Sequence, residues 1–259
     1  MSAFLRPRSP QRPPVRLIGV HHAGGSASAY HPLSRSLPPS WDLLLLDLPG
    51  RGRRAAQEPI GDMRGLVAQV AADVRPWLDG TPVALFGHSL GAVVALEVAR
   101  TLEDEGTGPV WVGVSGRVAP TFQELARKRL HELDDDALLD VLVAMGGTPP
   151  EVRDMPELRE RLLPTVRADL RAVDTYRPDP TRGPLSCALT AFGGTDDRWA
   201  PPAAMPAWRK ETSGRFEQRL YPGGHFYFFG TAFPGFARHL QHEVERGLFH
   251  ARGVLAVAG

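Results

Sequence analysis

The 259-residue sequence has one cysteine, no excess of charge of either sign, and no apolar run long enough to cross a bilayer. The lone thiol, Cys187, excludes an internal disulfide and is typical of a reducing compartment. With 30 Lys and Arg against 29 Asp and Glu, the formal net charge of +1 gives no reason to expect binding to nucleic acid or to a membrane. We therefore predict a cytoplasmic protein, monomeric by default, with neither kind of partner.

Signals for targeting and for common cofactors are also missing. Residues 1–14 alternate arginine with proline and lack the apolar core of a signal peptide, which predicts a flexible leader. Residues 249–259 are predicted to form a C-terminal tail. The chain has no histidine–glutamate helix motif, no cysteine pair and no phosphate-loop lysine, so we expect neither a metal nor a cofactor. His239 and His242, at helical spacing, are interpreted as part of a solvated helix face.

Short, almost continuously apolar runs recur along the chain and alternate with helical patterns. Such runs are typical of strands covered on both faces, and their alternation with helices predicts a parallel sheet. The six predicted strands are Val15–His21, Leu43–Leu48, Pro82–Gly87, Val110–Val114, Leu185–Phe192 and Phe216–Tyr221. The pattern predicts a single α/β domain over residues 15–248, with a mostly parallel central sheet flanked by helices.

Helical patterns fill the intervals between these strands. Apolar spacing predicts helices over Asp62–Leu78, Leu90–Leu102 and Phe233–Leu248. The second of these is apolar nearly all round, so we expect it to lie buried against the sheet.

One stretch, about residues 118–184, has helical patterns but no convincing strand. Three aspartates at 134–136 favour a helix start, and Gly146 favours its end. A second helix is predicted over Glu157–Tyr176, in which Pro164 starts a new helix or kinks this one. We interpret the stretch as a helical lid inserted into the domain.

The five residues from Gly87 to Gly91 read Gly-His-Ser-Leu-Gly and lie between a predicted strand and the buried helix. Glycines at both ends permit a tight turn in which side chains would collide with neighbouring backbone. The turn presents the Ser89 hydroxyl at the carboxyl end of the strand, where the next helix also directs its N-terminal amides. This context predicts a nucleophilic serine of the α/β-hydrolase fold. A glycine turn without chemistry is the weaker alternative.

A serine nucleophile needs a general base at neutral pH, and the chain contains nine histidines. His225 follows the last predicted strand through a Pro-Gly-Gly loop, at the same sheet edge as Ser89. It also satisfies the chain order serine, acid, histidine that this fold uses. His88 lies inside the serine turn and is expected to point away from the reaction, while His21 and His22 end the first strand. His225 is therefore the predicted base.

The acid is expected in a loop that follows a strand between these two residues. The loop after Val110–Val114 has no carboxylate, whereas the loop after Leu185–Phe192 contains Asp196 and Asp197. Periodicity does not choose between the two aspartates, and either could instead cap a turn. The acid would fix the histidine tautomer and stabilise its cation.

Two backbone amides are candidates for an oxyanion hole. One belongs to Leu90, directly after the nucleophile, and the other to Ala23, in the glycine-rich loop after the first strand. The same loop could be an ordinary glycine turn. The aromatic run Phe226–Phe229 either walls an acyl pocket or packs in the core.

Taken together, these motifs give the chain a family resemblance. The sequence resembles the type II thioesterases that accompany modular polyketide synthases and nonribosomal peptide synthetases, from about Val15 to Leu248. The serine motif alone would not distinguish this family from esterases or peptidases, but the matching stretches occur together and in order. They are His22–Ser26, Asp47–Gly52, Gly87–Ala92, Ser115–Arg117, Met145–Gly147, Arg167–Asp169 and Pro222–Phe226.

The resemblance implies an acid, a mechanism and a substrate. It selects Asp197 over Asp196, assigns the oxyanion amides to Ala23 and Leu90, and implies that the lid gates an acyl pocket. Members of the family hydrolyse acyl groups from the phosphopantetheine arm of acyl or peptidyl carrier proteins, which clears stalled or misprimed units. The carrier supplies the phosphopantetheine, so no cofactor of the enzyme's own is implied.

The resemblance also suggests where a partner would bind. Carrier proteins are usually acidic, so Arg51, Arg53, Arg54 and Arg117 are candidate contacts, with a solvated face as the simpler interpretation of each. Two other functions fit the same motifs. One is an esterase or peptidase that shares every catalytic residue, and the other is a non-catalytic acyl-binding module of the same fold.

Overall fold

A computed structural model describes residues 2–125 and 129–257; residue 1 of the predicted leader, 126–128 of the predicted lid and 258–259 of the predicted tail lie outside the described residues. The centre is a seven-stranded sheet in which six strands are parallel, in the spatial order β3-β2-β4-β5-β6-β7, and β1 joins antiparallel at the β3 edge. All six predicted strands are present within a few residues of their predicted bounds. The strands are β1 (Phe4–Leu5), β2 (Arg16–Val20), β3 (Asp42–Leu46), β4 (Val83–His88), β5 (Trp111–Ser115), β6 (Ala188–Gly194) and β7 (Phe216–Tyr221).

Helices occupy the connections between the strands. The α-helices are α1 (Leu33–Ser36), α2 (Met63–Val74), α3 (Leu90–Asp104), α4 (Asp135–Met145), α5 (Pro156–Thr175) and α6 (Phe233–Val257). Short 3₁₀ segments span Ala27–Tyr30, Gly52–Arg54, Arg75–Trp77, Pro120–Leu125, Leu130–Glu132, Pro150–Asp154, Pro202–Glu211 and Gly230–Ala232. Among the helices of the described residues, none combines the length and apolar character that a membrane span requires.

Different helices cover the two faces of the sheet. On one face, α2, α3 and the end of α5 pack through aliphatic side chains such as Val70, Leu96 and Val173. On the other face, α1 and α6 pack against an aromatic cluster that includes Phe86 and Phe236. Burial of each such side chain contributes about 1.5–3 kcal/mol to stability. The helix α3 is buried along nearly its whole length, as its all-round apolar pattern predicted.

The N-terminal segment differs from the flexible leader predicted over residues 1–14. Phe4 and Leu5 form β1, which pairs with Leu46 and Leu45 of β3. Phe4 is 3% exposed and packs edge-on against Trp77, with ring centroids 5.9 Å apart. A strand of two residues is too short to show an alternating pattern, so sequence periodicity could not detect this anchored segment.

Two helices differ from their predictions. The sequence allowed a new helix to start at Pro164, which is wrong because α5 is one helix from Pro156 to Thr175. Proline has no N–H, so the Glu160 carbonyl lacks its usual helical donor at position 164. Pro164 and Glu160 are both exposed, so water can donate to that carbonyl instead. The helix α6 continues to Val257, through most of the predicted C-terminal tail.

The helical insertion predicted over about residues 118–184 lies between β5 and β6. It contains α4, α5 and three of the 3₁₀ segments, and its described residues form no strand. The Asp134 side chain caps α4 by accepting a hydrogen bond from the Ala137 amide at 2.8 Å. Gly146, with φ at +87°, ends that helix as predicted. We refer to this insertion as the lid.

Parallel pairing brings the carboxyl ends of the strands to one edge of the sheet, which is where α/β folds place their ligands. The predicted site residues follow these ends, with Ala23 after β2, Ser89 after β4, Asp197 after β6 and His225 after β7. The lid begins after β5 at the same edge. The topology therefore brings the predicted site residues and the lid together.

Candidate active site

Ser89 lies on a sharp turn between β4 and α3. Its φ of +55° is the only positive φ among the non-glycine residues that the structure describes, and its amide donates to the Ser115 carbonyl at 2.7 Å. A Cβ at Gly87 would lie 1.9 Å from the Gly91 carbonyl oxygen, and one at Gly91 would lie 2.2 Å from the Val20 carbonyl oxygen. The collisions predicted from the sequence are therefore present, and they explain why glycine occupies both ends of the turn.

His225 and Asp197 form a hydrogen-bonded pair beside this turn. The distance from His225 Nδ1 to Asp197 Oδ2 is 2.9 Å, and the two residues are 6% and 2% exposed. The other carboxylate oxygen, Asp197 Oδ1, accepts from the amides of Trp199 at 2.8 Å and Ala200 at 3.1 Å. The neighbouring Asp196 is exposed. The structure thus pairs His225 with the aspartate that the family resemblance selects.

The surroundings of Asp197 keep its carboxyl group ionised. Burial alone would raise the pKa of Asp197, but the hydrogen bond and charge of His225 and the amides of Ala200 and Trp199 lower it below its usual value. A permanent carboxylate at Nδ1 holds the proton of the neutral imidazole on that nitrogen and leaves Nε2 as the basic one.

Three further histidines, His21, His22 and His88, are buried or half-buried near the site and have no carboxylate partner among the described residues. Burial, which is the largest effect, lowers the pKa of His21 and of His88, and lowers that of His22 to about 4. His88 Nδ1 lies 2.8 Å from Ser115 Oγ, which contacts the Tyr227 hydroxyl at 2.7 Å, so this ring is held in the core beneath the turn. Of these histidines, His225 is the one whose ring is hydrogen-bonded to a carboxylate at the site.

The predicted oxyanion residues border the same cavity as Ser89. Ala23 and Leu90 both line it, together with His225. In the loop after β2, the Gly25 amide donates to the His22 carbonyl at 3.0 Å, and Gly24 has a φ of +72°. This closes a four-residue turn with a positive φ at its third position, as in a type II turn.

A cavity of about 300 Å³ opens beside Ser89 under the lid. Its walls are mostly apolar, which suits an acyl chain. The side chains that the lid contributes include Leu130, Leu142, Met145, Val152, Leu158, Leu162, Val166, Leu170 and Val173. We refer to this cavity as the acyl chamber.

The aromatic run Phe226–Phe229 divides between the two roles that the sequence left open. Phe226 lines the acyl chamber, whereas Tyr227 and Phe228 are buried in the core beneath α6.

Arg117 also lines the chamber, so it does not belong to a solvated outer face. Burial lowers the pKa of Arg117 to about 10, opposed by the charge of Asp174.

Two of the arginines predicted as candidate carrier contacts are buried, which corrects that interpretation. Arg51 is 8% exposed and pairs with Asp169, and Arg54 is 7% exposed and pairs with Asp73. Both follow β3 and pair with acidic side chains of the helices α5 and α2, contacts that charge alone does not reveal. Arg53 is exposed and stays a candidate contact.

Asp169 is the site residue that sequence reasoning missed. It lies on α5 of the lid, is fully buried, and accepts hydrogen bonds from Arg51 and from the amide of Gly24 beside Ala23. The sequence signal was present, since the stretches around Arg51 and Asp169 both belong to the family resemblance. Only the folded chain shows that they bind each other.

Comparison with known proteins identifies the family of the chain. The thioesterase-domain family model matches residues 15–244. The chain is 42% identical over 215 residues to the thioesterase PikA5 of Streptomyces venezuelae, over 82% of this chain and 75% of PikA5. It spans 58% of the length of a further relative, a probable cadicidin biosynthesis thioesterase of Streptomyces griseus.

The solved structures that resemble this chain include thioesterases of the same family. RedJ, a thioesterase from the prodiginine pathway of Streptomyces coelicolor, is 36% identical with a TM-score of 0.82, covering 91% of this chain and 90% of RedJ. YbtT, a type II thioesterase from the yersiniabactin pathway, is 29% identical with a TM-score of 0.84, covering 95% of this chain and 99% of YbtT. The chain therefore belongs to the thioesterase family, as an α/β-hydrolase-fold enzyme that acts on thioesters and groups with the type II thioesterases of polyketide and nonribosomal peptide synthesis.

Proposed function

We propose that this enzyme removes acyl groups from the phosphopantetheine arm of carrier proteins that serve a polyketide or nonribosomal peptide synthase. The proposal rests on one observation. Ser89 and His225, which is hydrogen-bonded to Asp197, border the same apolar chamber under the lid. A serine nucleophile beside a chamber for an acyl chain suits hydrolysis of an acyl thioester. Release of stalled or misprimed acyl units would be the biological role.

In the proposed first half-reaction, His225 Nε2 takes the proton of Ser89 as the hydroxyl oxygen attacks the thioester carbonyl. The amides of Ala23 and Leu90 stabilise the tetrahedral oxyanion. As the carbonyl re-forms, the bond to sulfur breaks, and the pantetheine thiol leaves with the proton from His225. Asp197 stabilises the imidazolium between these two transfers.

The second half-reaction repeats the chemistry with water. His225 takes a proton from a water molecule as its oxygen attacks the acyl-Ser89 ester, and the same two amides hold the second oxyanion. Collapse of that intermediate returns the proton to Ser89 and releases the carboxylic acid. No metal ion or cofactor takes part in this proposed sequence.

Replacement of the nucleophile tests the proposal directly. Ser89→Ala should lower the turnover of an acyl-carrier thioester by at least about 10⁴-fold, because nucleophile and base act as one unit. Ser34→Ala is the matched control and should keep wild-type turnover. Ser34 lies in α1, on the face of the sheet opposite to α3. Near wild-type turnover by Ser89→Ala would contradict the mechanism.

The substrate class needs a separate measurement. One acyl group should be offered on the phosphopantetheine of a carrier protein, on a small thiol, as an oxygen ester and as an amide. We expect the highest kcat/KM for the carrier thioester. A preference for the oxygen ester or amide would favour the esterase or peptidase alternative. Absence of Ser89 labelling by a fluorophosphonate in the folded protein would instead favour a non-catalytic acyl-binding module.

A further inference from the structure

A fully buried carboxylate near the site belongs to the lid. Asp169 has no exposed surface, and its Oδ2 accepts a hydrogen bond from the Gly24 amide at 2.8 Å. Gly24 follows Ala23, one of the two proposed oxyanion donors. A side chain of the lid therefore contacts the backbone of the oxyanion loop directly, across 145 positions of sequence.

That hydrogen bond acts on the central peptide of a turn. The turn runs from His22 to Gly25, and Gly24 at its third position has a φ of +72°. The N–H of Gly24 belongs to the peptide plane between Ala23 and Gly24, so an acceptor at a fixed place sets the orientation of this plane. The Ala23 amide lies one residue earlier in the same tight turn, and its direction depends on that plane.

Arg51 neutralises the carboxylate that makes this contact. Its two terminal nitrogens lie 2.7 Å and 3.0 Å from Asp169 Oδ2 and Oδ1, a bidentate geometry that also fixes the rotation of the carboxylate. Asp47, earlier in the Arg51 loop, accepts from the amides of Ala27 at 2.8 Å and Arg53 at 3.0 Å. The loop after β3 thus holds the oxyanion loop from one side and Asp169 from the other.

Apolar contacts place Asp169 where it can reach Gly24. A Cβ added to Gly24 would lie 2.5 Å from Val166 Cγ2 and 3.6 Å from Leu162 Cδ1, so α5 packs directly on this glycine. Val166 and Asp169, three positions apart, lie on the same side of the helix. The lid cannot move off the oxyanion loop without breaking the Gly24 hydrogen bond and exposing Val166.

We propose that Asp169 is a positioning residue, which holds the oxyanion loop in its active geometry through the Gly24 amide and so links the position of the lid to stabilisation of the oxyanion. This inference rests on the proposed function, because it takes Ala23 as an oxyanion donor. Asp169 does not touch the reacting atoms. Its effect on the reaction passes through the backbone of the Ala23–Gly24 turn.

The position of an oxyanion donor matters more in the transition state than in the bound substrate. Removing such a donor typically costs about 10²–10³-fold in kcat, because the charge it stabilises forms only during the reaction. Asp169→Ala loosens the Ala23 donor without deleting it, so we expect kcat to fall by about 10–100-fold. KM for the acyl-carrier substrate should change by less than about threefold, since the acyl chamber keeps its apolar walls.

Asp169→Asn separates the hydrogen bond from the charge. The amide oxygen of asparagine can still accept from Gly24, so kcat should stay within about threefold of wild type, although the unpaired Arg51 lowers the stability of the fold. A loss of kcat in Asp169→Asn equal to that in Asp169→Ala would overturn the role of the Gly24 hydrogen bond.

A double variant keeps the test usable if Asp169→Ala does not fold. Asp169→Ala combined with Arg51→Met removes both buried charges together, a change that folded proteins tolerate better than the loss of one partner. It still lacks the acceptor for Gly24, so it should show the same loss of kcat as Asp169→Ala. Wild-type kcat in the folded double variant would overturn the proposal.

Asp42→Ala is the matched control for a buried ion pair. Asp42 has no exposed surface and binds Arg16 and Arg6 at 2.8 Å and 2.7 Å, but it starts β3 at the opposite edge of the sheet. Its loss should lower the denaturation midpoint and leave kcat unchanged at temperatures where the protein stays folded. An equal fall in kcat for Asp42→Ala and Asp169→Ala would show a general effect of destabilisation and contradict a positioning role.

The affinity of an acyl trifluoromethyl ketone distinguishes a positioning role of Asp169 from a purely structural one. Its adduct with Ser89 presents an oxyanion to the same amides, so its affinity should fall in Asp169→Ala by the same factor as kcat/KM. Unchanged affinity would contradict the inference. Failure of the proposed function gives a different result from failure of this inference. If the proposed function is wrong, wild-type enzyme hydrolyses no acyl-carrier thioester. If only this inference is wrong, wild type and Asp169→Ala are equally active.

Discussion

The strand-end turns that carry Ser89, Asp197 and His225 differ from the lid in how their positions are held. At the turns, backbone atoms pack so closely that even a methyl group at Gly87 or Gly91 would collide with a carbonyl oxygen. The lid has a small apolar cluster of its own, built from α4 and α5, and reaches the oxyanion loop through Val166 and Asp169. The turns are therefore fixed by close backbone packing, and the lid by side-chain contacts that α5 makes with the rest of the domain.

This difference predicts two kinds of mutational effect. A change in the strand-end turns should alter the chemistry for every acyl group, because every substrate uses the same nucleophile, base and acid. A change in the lid wall should instead alter which acyl chain fits, because lid side chains border the acyl chamber and not the reacting groups.

The largest effect is expected at the acid. Asp197→Asn should lower kcat by about 10⁴-fold while the protein stays folded, because an amide cannot hold the His225 tautomer or stabilise its cation. Steady-state kinetics on one acyl-carrier thioester measure the loss. The neighbouring Asp196→Asn is the control, and the exposed position of Asp196 predicts less than a twofold change. A larger loss in Asp196→Asn than in Asp197→Asn would reverse the assignment.

The second effect concerns stability at acid pH. The pKa of His22 is lowered to about 4, chiefly by burial, from about 6.5 in the unfolded chain. Between these two values the unfolded state binds a proton that the folded state does not, so the free energy of unfolding falls as pH is lowered. His22 contributes up to about 1.4 kcal/mol per pH unit to this slope.

His22→Gln should make the slope between pH 6.5 and pH 4 shallower, as measured by urea denaturation at a series of pH values. His21 and His88, whose pKa values are also lowered by burial, would maintain the rest of it. His242→Gln, an exposed position on α6, should leave the slope unchanged. Equal slopes in wild type and His22→Gln would show that His22 is not buried as a neutral ring.

The smallest effect is expected in the lid wall. Met145→Phe adds volume on the chamber side of α4, so kcat/KM for the longest accepted acyl chain should fall by about tenfold while short chains are unaffected. Ala144→Phe adds a similar ring at the exposed neighbouring position and should leave the chain-length profile unchanged. A uniform loss for all chain lengths in Met145→Phe would mean that the lid wall also affects the chemistry.

The fold was largely predictable because its strands are continuously apolar and its helices periodic. Prediction failed where local pattern carries little information. β1 is two residues long and is held by the burial of Phe4, and α5 continues through Pro164 because that position faces solvent. Arg51 resembles a surface charge in the sequence, and only its bidentate contact with Asp169 shows that it is buried.

The sequence by itself determined the turn around Ser89 and the loops that carry Asp197 and His225, because the steric demand on Gly87 within its own turn and the order of the strands can be inferred along the chain. Tertiary structure decided which aromatic of the run lines the chamber and that Asp169 of the lid binds the oxyanion loop, and it brought His225 to the aspartate that only the family resemblance had selected. Each of these depends on contacts between segments far apart in the chain, whose geometry is set only when the sheet, its helices and the lid pack together.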